Sequence, residues 1–309
     1  MTYEHIETFL TVVVTGSITA AAKKLFVSQS TVSSRIQQLE QELGTPLILR
    51  QKGHRNISLT NYGDSFIPIA GQWAALWKDT QNLKKTEDIT ILHIASVDAI
   101  NNYTFVPFFK NHLENVPNIR LSINTHHSNE IYNLVENRTA DIGFVFSQIS
   151  YPDIVSVPIY RELMYLICHK DSPYYHGIEC EKLDPKKEVF LNWGTDYKQW
   201  HDRHWSPNVF PLVQVNTGSM LQRYLDQPER WGIAPMSVIT GAIRSNPNLT
   251  YYSLKEPPSP RICYEIKNRY TKVSHQAAIE AFETEIKTFV EKDENICSFE
   301  SWMLQSVQL

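Results

Sequence analysis

Short polar side chains and one arginine are the first residues in this chain that could do chemistry. Between residues 28 and 39, the positions outside an apolar repeat carry hydroxyl, amide or guanidinium groups and no carboxylate. A helix face that meets only water usually mixes Glu with Lys, whereas the DNA major groove requires donors and acceptors with little negative charge. A solvated polar face is the alternative interpretation. The residues expected to face DNA are Gln29, Ser30, Thr31, Ser33, Ser34, Arg35 and Gln38.

Basic residues follow in a predicted hairpin. Residues 47–61, LILRQKGHRNISLTN, combine an apolar strand, a glycine-containing turn and an alternating strand, and the tip has no acidic residue. Cations on such a turn can contact phosphates or the minor groove, as the wing of a winged helix-turn-helix does. We expect these contacts from Arg50, Lys52 and Arg55.

Two helices joined by a tight corner must position these groups. Ser17 and Ser28 are suitable N-caps, because a serine hydroxyl can accept from the free amides of a first helical turn. Both serines belong to the predicted DNA-binding set. The second helix has apolar residues at spacings of four, three and four, which define its core side, and it ends at Gly44. The apolar residues are Val32, Ile36, Leu39 and Leu43.

This N-terminal pattern resembles the signature of LysR-type transcriptional regulators. One departure is Ile48-Leu49, where the family commonly has Leu-Phe, and an aliphatic replacement should keep the packing. The resemblance implies sequence-specific DNA binding and self-association, usually into tetramers through two kinds of contact. The residues that carry it are Ala20-Ala21, Leu25, Ser28-Gln29-Ser30, Val32-Ser33, Ile36, Leu39-Glu40, Leu43-Gly44, Leu47, Arg50, Leu59-Thr60 and Gly63.

A long helix is predicted from Thr60, which can cap it, to about Lys85. Its apolar stripe contains two tryptophans and precedes any globular partner in the sequence, so it predicts pairing with a second copy of the chain. LysR-type regulators use this segment as a linker and dimerisation helix; a helix buried within one domain is the alternative. Paired recognition helices would require double-stranded DNA with inverted half-sites. The stripe comprises Tyr62, Phe66, Ile69, Ala70, Trp73, Leu76, Trp77 and Leu83.

The composition is that of an ordinary globular protein. The chain has 309 residues, of which 42% are hydrophobic and 20% charged, and its net charge of -4 argues against an indiscriminate nucleic-acid coat. Residues 1–60 carry six basic and four acidic side chains, a net charge of +2, which has the sign expected of a DNA-binding module. The start lacks a signal-peptide pattern, and no apolar run reaches the roughly twenty residues of a membrane span. A cytoplasmic protein without membrane contact is expected.

From about Thr86 the pattern changes to alternating strands and helices, typical of a mostly parallel sheet covered on both faces. Two such sets, with crossovers near Tyr160 and Cys263, resemble the two-lobed, periplasmic-binding-protein-like effector domain of the family. Residues 231–239, WGIAPMSVI, are predicted as a strand leading into a turn. The predicted fold is therefore multidomain α/β, with a winged helix-turn-helix at 1–60, a linker helix at 61–88, effector lobe I at 89–161 and 264–292, effector lobe II at 162–263, and a C-terminal tail at 293–309.

A cleft between the lobes is expected to bind a small-molecule effector, because ligands of open α/β sheets lie beyond the carboxyl ends of the strands. Hydroxyls and helix-start amides there suit an anion or a sugar. An ionised Asp98 would disfavour an acidic effector unless it faces outward as an N-cap. A capped turn is the alternative for each position. The family resemblance assigns this role to Ser96, Val97, Asp98, Ala99, Thr125, His126, His127, Ser128, Asn192, Trp193, Gly194, Asn216 and Thr217.

Two other sets of residues have less specific patterns. His201 and His204 could share a helix face and hold a metal, but no third ligand is recognisable by spacing, so no metal is assigned. Four cysteines lack a C-x-x-C pair and look like buried thiols of a reducing compartment, with a redox switch as the alternative. They are Cys168, Cys180, Cys263 and Cys297.

Motifs for catalysis are absent from the sequence: there is no G-x-S-x-G, phosphate-binding Gly-rich loop or H-E-x-x-H. The predicted function is a LysR-type regulator, not an enzyme, with no cofactor, whose promoter binding responds to an effector. RNA polymerase is a further candidate partner. The alternative is an enzyme or small-molecule-binding protein that uses the cleft, with the N-terminal helices as a protein-contact module. A purely structural dimer would leave the cleft unexplained.

Overall fold

The computed structural model of the chain describes residues 1–49, 57–82 and 89–299. The chain divides into an N-terminal unit that ends at residue 87 and a larger unit that begins at residue 88. The N-terminal unit contains, in order, α1 (Tyr3–Thr15), α2 (Ile18–Leu25), α3 (Gln29–Leu43), β1 (Ile48–Leu49), β2 (Ser58–Leu59) and α4 (Asn61–Asn82).

Side-chain caps begin the first three helices. Thr2 accepts from the amide of His5 for α1, Ser17 from Ala20 for α2, and Ser28 from Thr31 for α3. Gly16 and Gly44 end α1 and α3 at φ +66° and +69°, a left-handed conformation that costs glycine little. The predicted corner between two helices is therefore confirmed, and both serines occupy the expected cap positions.

The core of the N-terminal unit lies between α1, α2, α3 and α4. Val32, Ile36 and Leu39 are buried as their spacing predicts, but Leu43 is 37% exposed. The prediction for Leu43 was wrong because the residue is the last of α3, where the chain turns away at Gly44. The short hairpin adds Leu47 and Ile48 to this core, which also contains Ile6, Phe9, Val12, Ala21, Ala22, Phe66 and Ala70.

Helix α4 has two apolar faces. Phe66 and Ala70 are buried in the N-terminal core, whereas Ile69, Leu76 and Tyr62 are more than half exposed on another face. Thr60 accepts from the amide of Gly63 at 3.0 Å, so it caps the helix as predicted. The predicted apolar stripe therefore contributes both to the N-terminal core and to an exposed face. Leu83 lies outside the described residues.

The larger unit contains a six-stranded mixed sheet in the order β13-β6-β12-β5-β3-β4. Strand β3 runs parallel to β4 and β5, and β12 and β13 run antiparallel to β6. The helices of this lobe pack their apolar faces on the sheet. Its elements are β3 (Thr90–Ser96), a π-helical turn (Ile100–Thr104), α5 (Val106–Asn115), β4 (Ile119–Thr125), α6 (Ser128–Glu136), β5 (Ile142–Val145), β6 (Ile154–Glu162), β12 (Arg261–Asn268), α10 (Gln276–Lys292) and β13 (Cys297–Ser298).

The second lobe has its own core and two small sheets. One is three-stranded and antiparallel, in the order β10-β7-β11, and the other is the parallel pair β8-β9. Its elements are β7 (Met164–His169), β8 (Val189–Leu191), α7 (Thr195–His204), β9 (Val213–Val215), α8 (Gly218–Arg223), β10 (Trp231–Pro235), α9 (Met236–Ser245) and β11 (Leu249–Tyr252).

Two short connections join the lobes. Leu163 alone separates β6 from β7, and residues 253–260 connect β11 to β12. The second connection has the sequence SLKEPPSP, with three prolines. Arg261 at the start of β12 pairs in register with Glu162 at the end of β6, so the two connections leave the six-stranded sheet side by side.

Two further sequence predictions differ from the structure, and the predicted C-terminal tail contains a strand. The prediction of a second mostly parallel sheet was wrong, because β7 pairs antiparallel with both β10 and β11. The predicted turn after β10 is helix α9, whose buried Val238, Ile239 and Ala242 follow a helical repeat. The tail predicted at 293–309 includes β13, which adds to the edge of the six-stranded sheet.

Candidate functional site

The N-terminal half of α3 presents the polar face predicted to read DNA. Ser28, Gln29, Ser30, Ser33 and Ser34 are exposed, while Thr31 is half-buried. The hydroxyl of Ser28 lies 2.7 Å from that of Ser30 and 2.8 Å from that of Thr31, so the cap orients both side chains. This surface can offer several hydrogen-bonding groups to base edges without a carboxylate to repel phosphates.

Two residues of the predicted reading face also contact α1. Arg35 is half-buried and donates from Nη1 to Thr8 Oγ1 at 3.4 Å, and Gln38 Oε1 lies 3.0 Å from His5 Nε2. Each contact orients its side chain along the side of α3 that faces α1. The predicted wing residues Arg50, Lys52 and Arg55 lie outside the described residues. Ser17 is half-buried at the start of α2.

Phe26 is an exposed aromatic that the sequence analysis did not single out. It ends α2 at φ +56°, and its side chain is 96% exposed two residues before the cap of α3. A bulky residue seldom adopts a left-handed conformation, which usually persists where function or surrounding structure requires it. Its exposure next to the cap of α3 makes Phe26 a further candidate residue for the surface predicted to face DNA.

A cavity of about 420 Å³ lies at the carboxyl ends of strands from both lobes of the larger unit. Twelve of the thirteen predicted effector residues line it, and their role in binding stays a prediction. They are Val97, Asp98, Ala99, Thr125, His126, His127, Ser128, Asn192, Trp193, Gly194, Asn216 and Thr217.

Ser96 is the exception. It is fully buried at the end of β3 and does not line the cavity, and its hydroxyl has no hydrogen-bond partner among the described residues. Its carbonyl accepts from the amide of His126 at 3.1 Å. Ser96 therefore supports one cavity loop from behind, because successive side chains of a strand point to opposite faces.

Hydrogen bonds within the loops shape the cavity wall. Asn101 donates to Thr125 Oγ1 at 2.9 Å, and Thr217 Oγ1 accepts from the amide of Met220 at 3.3 Å as the cap of α8. Asn192 Oδ1 accepts from the amide of Gly194, whose φ of +125° suits glycine. These contacts hold polar groups from both lobes around one space.

The carboxylates at the cavity already have partners. Asp98 Oδ1 accepts from Asn102 Nδ2 at 2.6 Å, and Glu130 Oε2 accepts from the amide of His127 at 3.1 Å. Burial, with a smaller effect from Asp98, raises the pKa of the adjacent Tyr103 to about 12. Asp98 is therefore not the expected N-cap: its partner is a side-chain amide, Ala99 holds the N-cap position of the following turn without a side-chain cap, and the Asp98 carboxylate lines the cavity.

Six lining residues were missed: Glu130, Phe146, Ser147, Leu191, Gly218 and Arg261. Phe146 and Ser147 follow the carboxyl end of β5, so the same strand-end rule predicts them. Arg261 begins β12, and a rule based on carboxyl ends does not apply to the amino end of a strand. No signal in the sequence marked this arginine.

The histidine pair and the cysteines have ordinary surroundings in the structure. His201 Nε2 lies 2.9 Å from Glu188 Oε2, and His204 Nδ1 lies 4.0 Å from Glu181 Oε1. Within the described ranges, no group of three or more His, Cys, Asp or Glu side chains is placed to hold a metal. The four cysteines are free thiols, of which only Cys297 is not fully buried.

Two known protein families together match most of the chain. Residues 3–64 match the family described as "Bacterial regulatory helix-turn-helix protein, lysR family", and residues 87–287 match the "LysR substrate binding domain". No helix in the described part of the chain is long and apolar enough to cross a membrane.

Curated relatives are named as transcriptional regulators. The chain is 28% identical over 157 residues to the HTH-type transcriptional regulator YofA of Bacillus velezensis, which covers 50% of this chain and 54% of the relative. It is 30% identical over 164 residues to the HTH-type transcriptional regulator cbl of Escherichia coli, covering 51% of each. The chain thus spans about half the length of these relatives.

Solved structures share the fold at low sequence identity. A full-length OxyR variant from Pseudomonas aeruginosa has a TM-score of 0.66 at 19% identity, covering 93% of this chain and 95% of that one. Full-length CbnR complexed with its target DNA has a TM-score of 0.61 at 19% identity, covering 94% and 100%. These structures show a shared fold, and the two family matches over residues 3–64 and 87–287 show that this chain belongs to the LysR family of bacterial helix-turn-helix regulators.

Proposed function

We propose that the protein is a sequence-specific DNA-binding transcriptional regulator whose promoter binding responds to a small molecule in the cavity of the larger unit. The observation that carries the proposal is the exposed, carboxylate-free first half of α3, held on a buried core by Val32, Ile36 and Leu39. A recognition helix requires this combination, because its outer face must meet base edges while its inner face fixes the angle of approach.

The proposed reading residues are Gln29, Ser30, Thr31, Ser33 and Ser34, with Arg35 and Gln38 beside α1. Arg50, Lys52 and Arg55 are proposed to contact phosphates. The structural neighbour CbnR is described as complexed with its target DNA, which supports the same mode of binding for this chain. Since a two-fold pair of recognition helices reads two half-sites, the proposed site is double-stranded DNA with inverted repeats.

Fluorescence anisotropy of the full chain tests this proposal. We expect tight, salt-sensitive binding to the DNA upstream of its own gene and weaker binding to a scrambled duplex. Gln29→Ala should lower the affinity for the upstream DNA about tenfold, whereas Gln41→Ala, at the exposed far end of the same helix, should leave it unchanged. Equal affinity for both duplexes at every salt concentration would contradict sequence reading.

The cavity is proposed to bind an effector and not to catalyse a reaction, because the family is one of regulators and the lining groups already serve as caps and turns. Self-association through α4 is proposed from its exposed apolar face, and a tetramer would need a second contact. RNA polymerase is the proposed further partner at a promoter. A regulator of this kind would act in the cytoplasm, where the bacterial chromosome is.

A further inference from the structure

Arg261 is a buried cation in the wall of the cavity. Only a tenth of its side chain is exposed, and it lines both the 420 Å³ cavity and a neighbouring cavity of about 310 Å³. Its guanidinium carbon lies 3.6 Å from the ring centre of Phe146 and 4.7 Å from that of Trp193. The indole of Trp193 is itself held by a 2.6 Å hydrogen bond to the carbonyl of Ile233.

Two of the three donor nitrogens of Arg261 have no hydrogen-bond partner among the described residues. They are Nε and Nη1, and both are buried. The rings of Phe146 and Trp193 stabilise the cation, but they cannot satisfy N–H groups that point outward in the guanidinium plane. A buried charge with unused donors is unfavourable, so this arrangement favours an acceptor from outside the chain.

Glu162 is the acidic neighbour of Arg261, and it does not complete the site. Its Oε2 lies 3.9 Å from Arg261 Nη1, too far for a hydrogen bond, and Oε1 accepts from Thr104 at 3.3 Å. Glu162 is fully buried, and this burial raises the pKa of its carboxyl group while the nearby Arg261 opposes the rise. The guanidinium therefore keeps capacity for a second, better placed anion.

We propose that the effector is a small organic acid whose carboxylate accepts hydrogen bonds from Arg261. The guanidinium that donates them is the one that contacts the rings of Phe146 and Trp193. A carboxylate has two oxygens in one plane and matches the donor fork of arginine better than a neutral polar group does. The other cavity walls supply hydroxyl and amide groups, such as those of Thr125 and Asn192, for the remainder of the molecule. The two carboxylates of the lining, Asp98 and Glu130, accept hydrogen bonds within their own loops, so the acid is expected to place its carboxylate at Arg261 and not beside them. This inference rests on the proposed function only in naming the ligand an effector.

Differential scanning fluorimetry and calorimetric titration of the full chain test the proposal. The probes are succinate, citrate and phenylacetate, each compared with its amide, together with inorganic phosphate and sulfate. We expect at least one acid to raise the melting temperature of the wild-type protein, while its amide does not. Arg261→Met should weaken that binding tenfold or more, and Arg261→Lys, which keeps the charge without the fork, should weaken it less.

Arg120→Met is the matched control, because this arginine is exposed on β4 in the same lobe, and acid binding should be unchanged in it. Equal binding of acids and amides, undiminished acid binding in Arg261→Met, or no response to any acid would overturn the proposal. A response to phosphate or sulfate alone would overturn the carboxylate assignment.

Operator DNA binding separates this proposal from the proposed function. Without acid, Arg261→Met should bind the upstream duplex with the affinity of the wild type, and a cooperative melting transition in the fluorimetry shows that the variant is folded. A wild-type protein that binds the acid through Arg261 but shows no preference for its upstream DNA would refute the regulatory function and leave the carboxylate site standing. A protein that prefers its upstream DNA but binds no acid would refute the carboxylate site and leave the regulatory function standing.

Discussion

Gly63 is required by the close packing of the hairpin against α4. A Cβ atom at this position would overlap the carbonyl oxygen of Leu47, which cannot rotate away because it accepts from the amide of Thr60 at 3.0 Å. This contact explains why a glycine stands at the end of the family signature. The requirement is steric, since Gly63 does not have a positive φ.

Gly63→Ala should lower the free energy of unfolding by about 1–3 kcal/mol, because a backbone atom must move to admit the methyl group. Gly71→Ala is the matched control in the same helix. No atom lies within 4 Å of its Cβ position, so alanine there should stabilise the helix by about 0.5–1 kcal/mol. Urea unfolding measured by circular dichroism gives both values, and equal effects of the two variants would contradict the steric explanation.

The buried cysteines are poor candidates for a redox switch. Burial raises the pKa of Cys168 to about 11 and that of Cys180 to about 12, and it raises the pKa of the fully buried Cys263 as well. The reactive form of cysteine is the thiolate, so these three groups should react slowly near neutral pH. Cys297 is half-buried and should react first.

A disulfide-exchange reagent such as DTNB should modify one thiol of the native protein rapidly and the other three only after unfolding. Cys297→Ser should abolish the rapid phase, and Cys168→Ser should preserve it. A rapid phase that survives in Cys297→Ser would show that a buried thiol is accessible. Mild peroxide should leave DNA affinity unchanged for the same reason.

At the scale of elements, α4 carries the exposed apolar surface that we propose pairs two chains. Tyr62, Ile69 and Leu76 are seven residues apart and 66%, 57% and 52% exposed, respectively. This repeat forms a continuous apolar seam along one side of a helix, as in two-stranded coiled coils. Trp73 and Trp77 stack beside it at a centroid distance of 5.9 Å, and Tyr3 stacks on both.

Ile69→Glu should convert the chain to monomers or weaken its self-association at least tenfold, because it places a charge inside the proposed seam. Asp64→Lys also changes a charge, but its position lies on the opposite side of α4 at 100° per residue, so it should keep the wild-type assembly. Analytical ultracentrifugation separates these outcomes. An unchanged sedimentation coefficient for Ile69→Glu would place the self-contact elsewhere.

Strand β12 carries a buried carboxyl group, Glu265, which links stability to pH. Burial, reinforced by the charge of Glu283, raises the pKa of Glu265 from 4.5 to about 8. Between these two values the folded protein keeps a proton that the unfolded chain has released. Stability therefore falls as pH rises from 4.5 to 8, because the folded state must release the proton from a buried site.

Glu265→Gln should remove this fall and make the protein more stable than the wild type above about pH 8, by roughly 1–3 kcal/mol. Glu291→Gln, exposed near the end of α10, should keep the wild-type pH dependence. Urea unfolding at several pH values measures the difference. If both variants change the free energy of unfolding equally at every pH, or if neither changes it, Glu265 is ionised at no cost in the folded protein.

For the whole molecule, periodicity in the sequence predicts most of the architecture that places the site. The strand-end rule located the cavity loops because parallel strands bring their carboxyl ends to one edge, whatever the details of packing. It could not locate Arg261, whose position depends on β12 returning antiparallel from the other lobe. Ser96 shows a related limit. Successive side chains of a strand point to opposite faces, so a prediction that is wrong by one residue assigns a core side chain to the cavity wall.

Lobe II was less predictable for a similar reason. Its strands are short, and the pairing of β7 with both β10 and β11 joins segments far apart in the chain, which local patterns do not encode. The apolar face of α4 was predicted as one stripe, but the division between Phe66 in the core and Ile69 at the surface depends on how the helix rests on α1. Which apolar residues of α4 are buried is decided by how the helix packs and not by their spacing in the sequence.

The connections between the lobes have a mechanical consequence. Leu163, the single residue between β6 and β7, offers one pair of backbone torsions, and the second connection is stiffened by Pro257, Pro258 and Pro260. Because these connections leave the sheet side by side, we expect the lobes to rotate against each other mainly about one hinge axis that passes through both connections. We expect a molecule bound in the cleft to change the angle between the lobes about this axis.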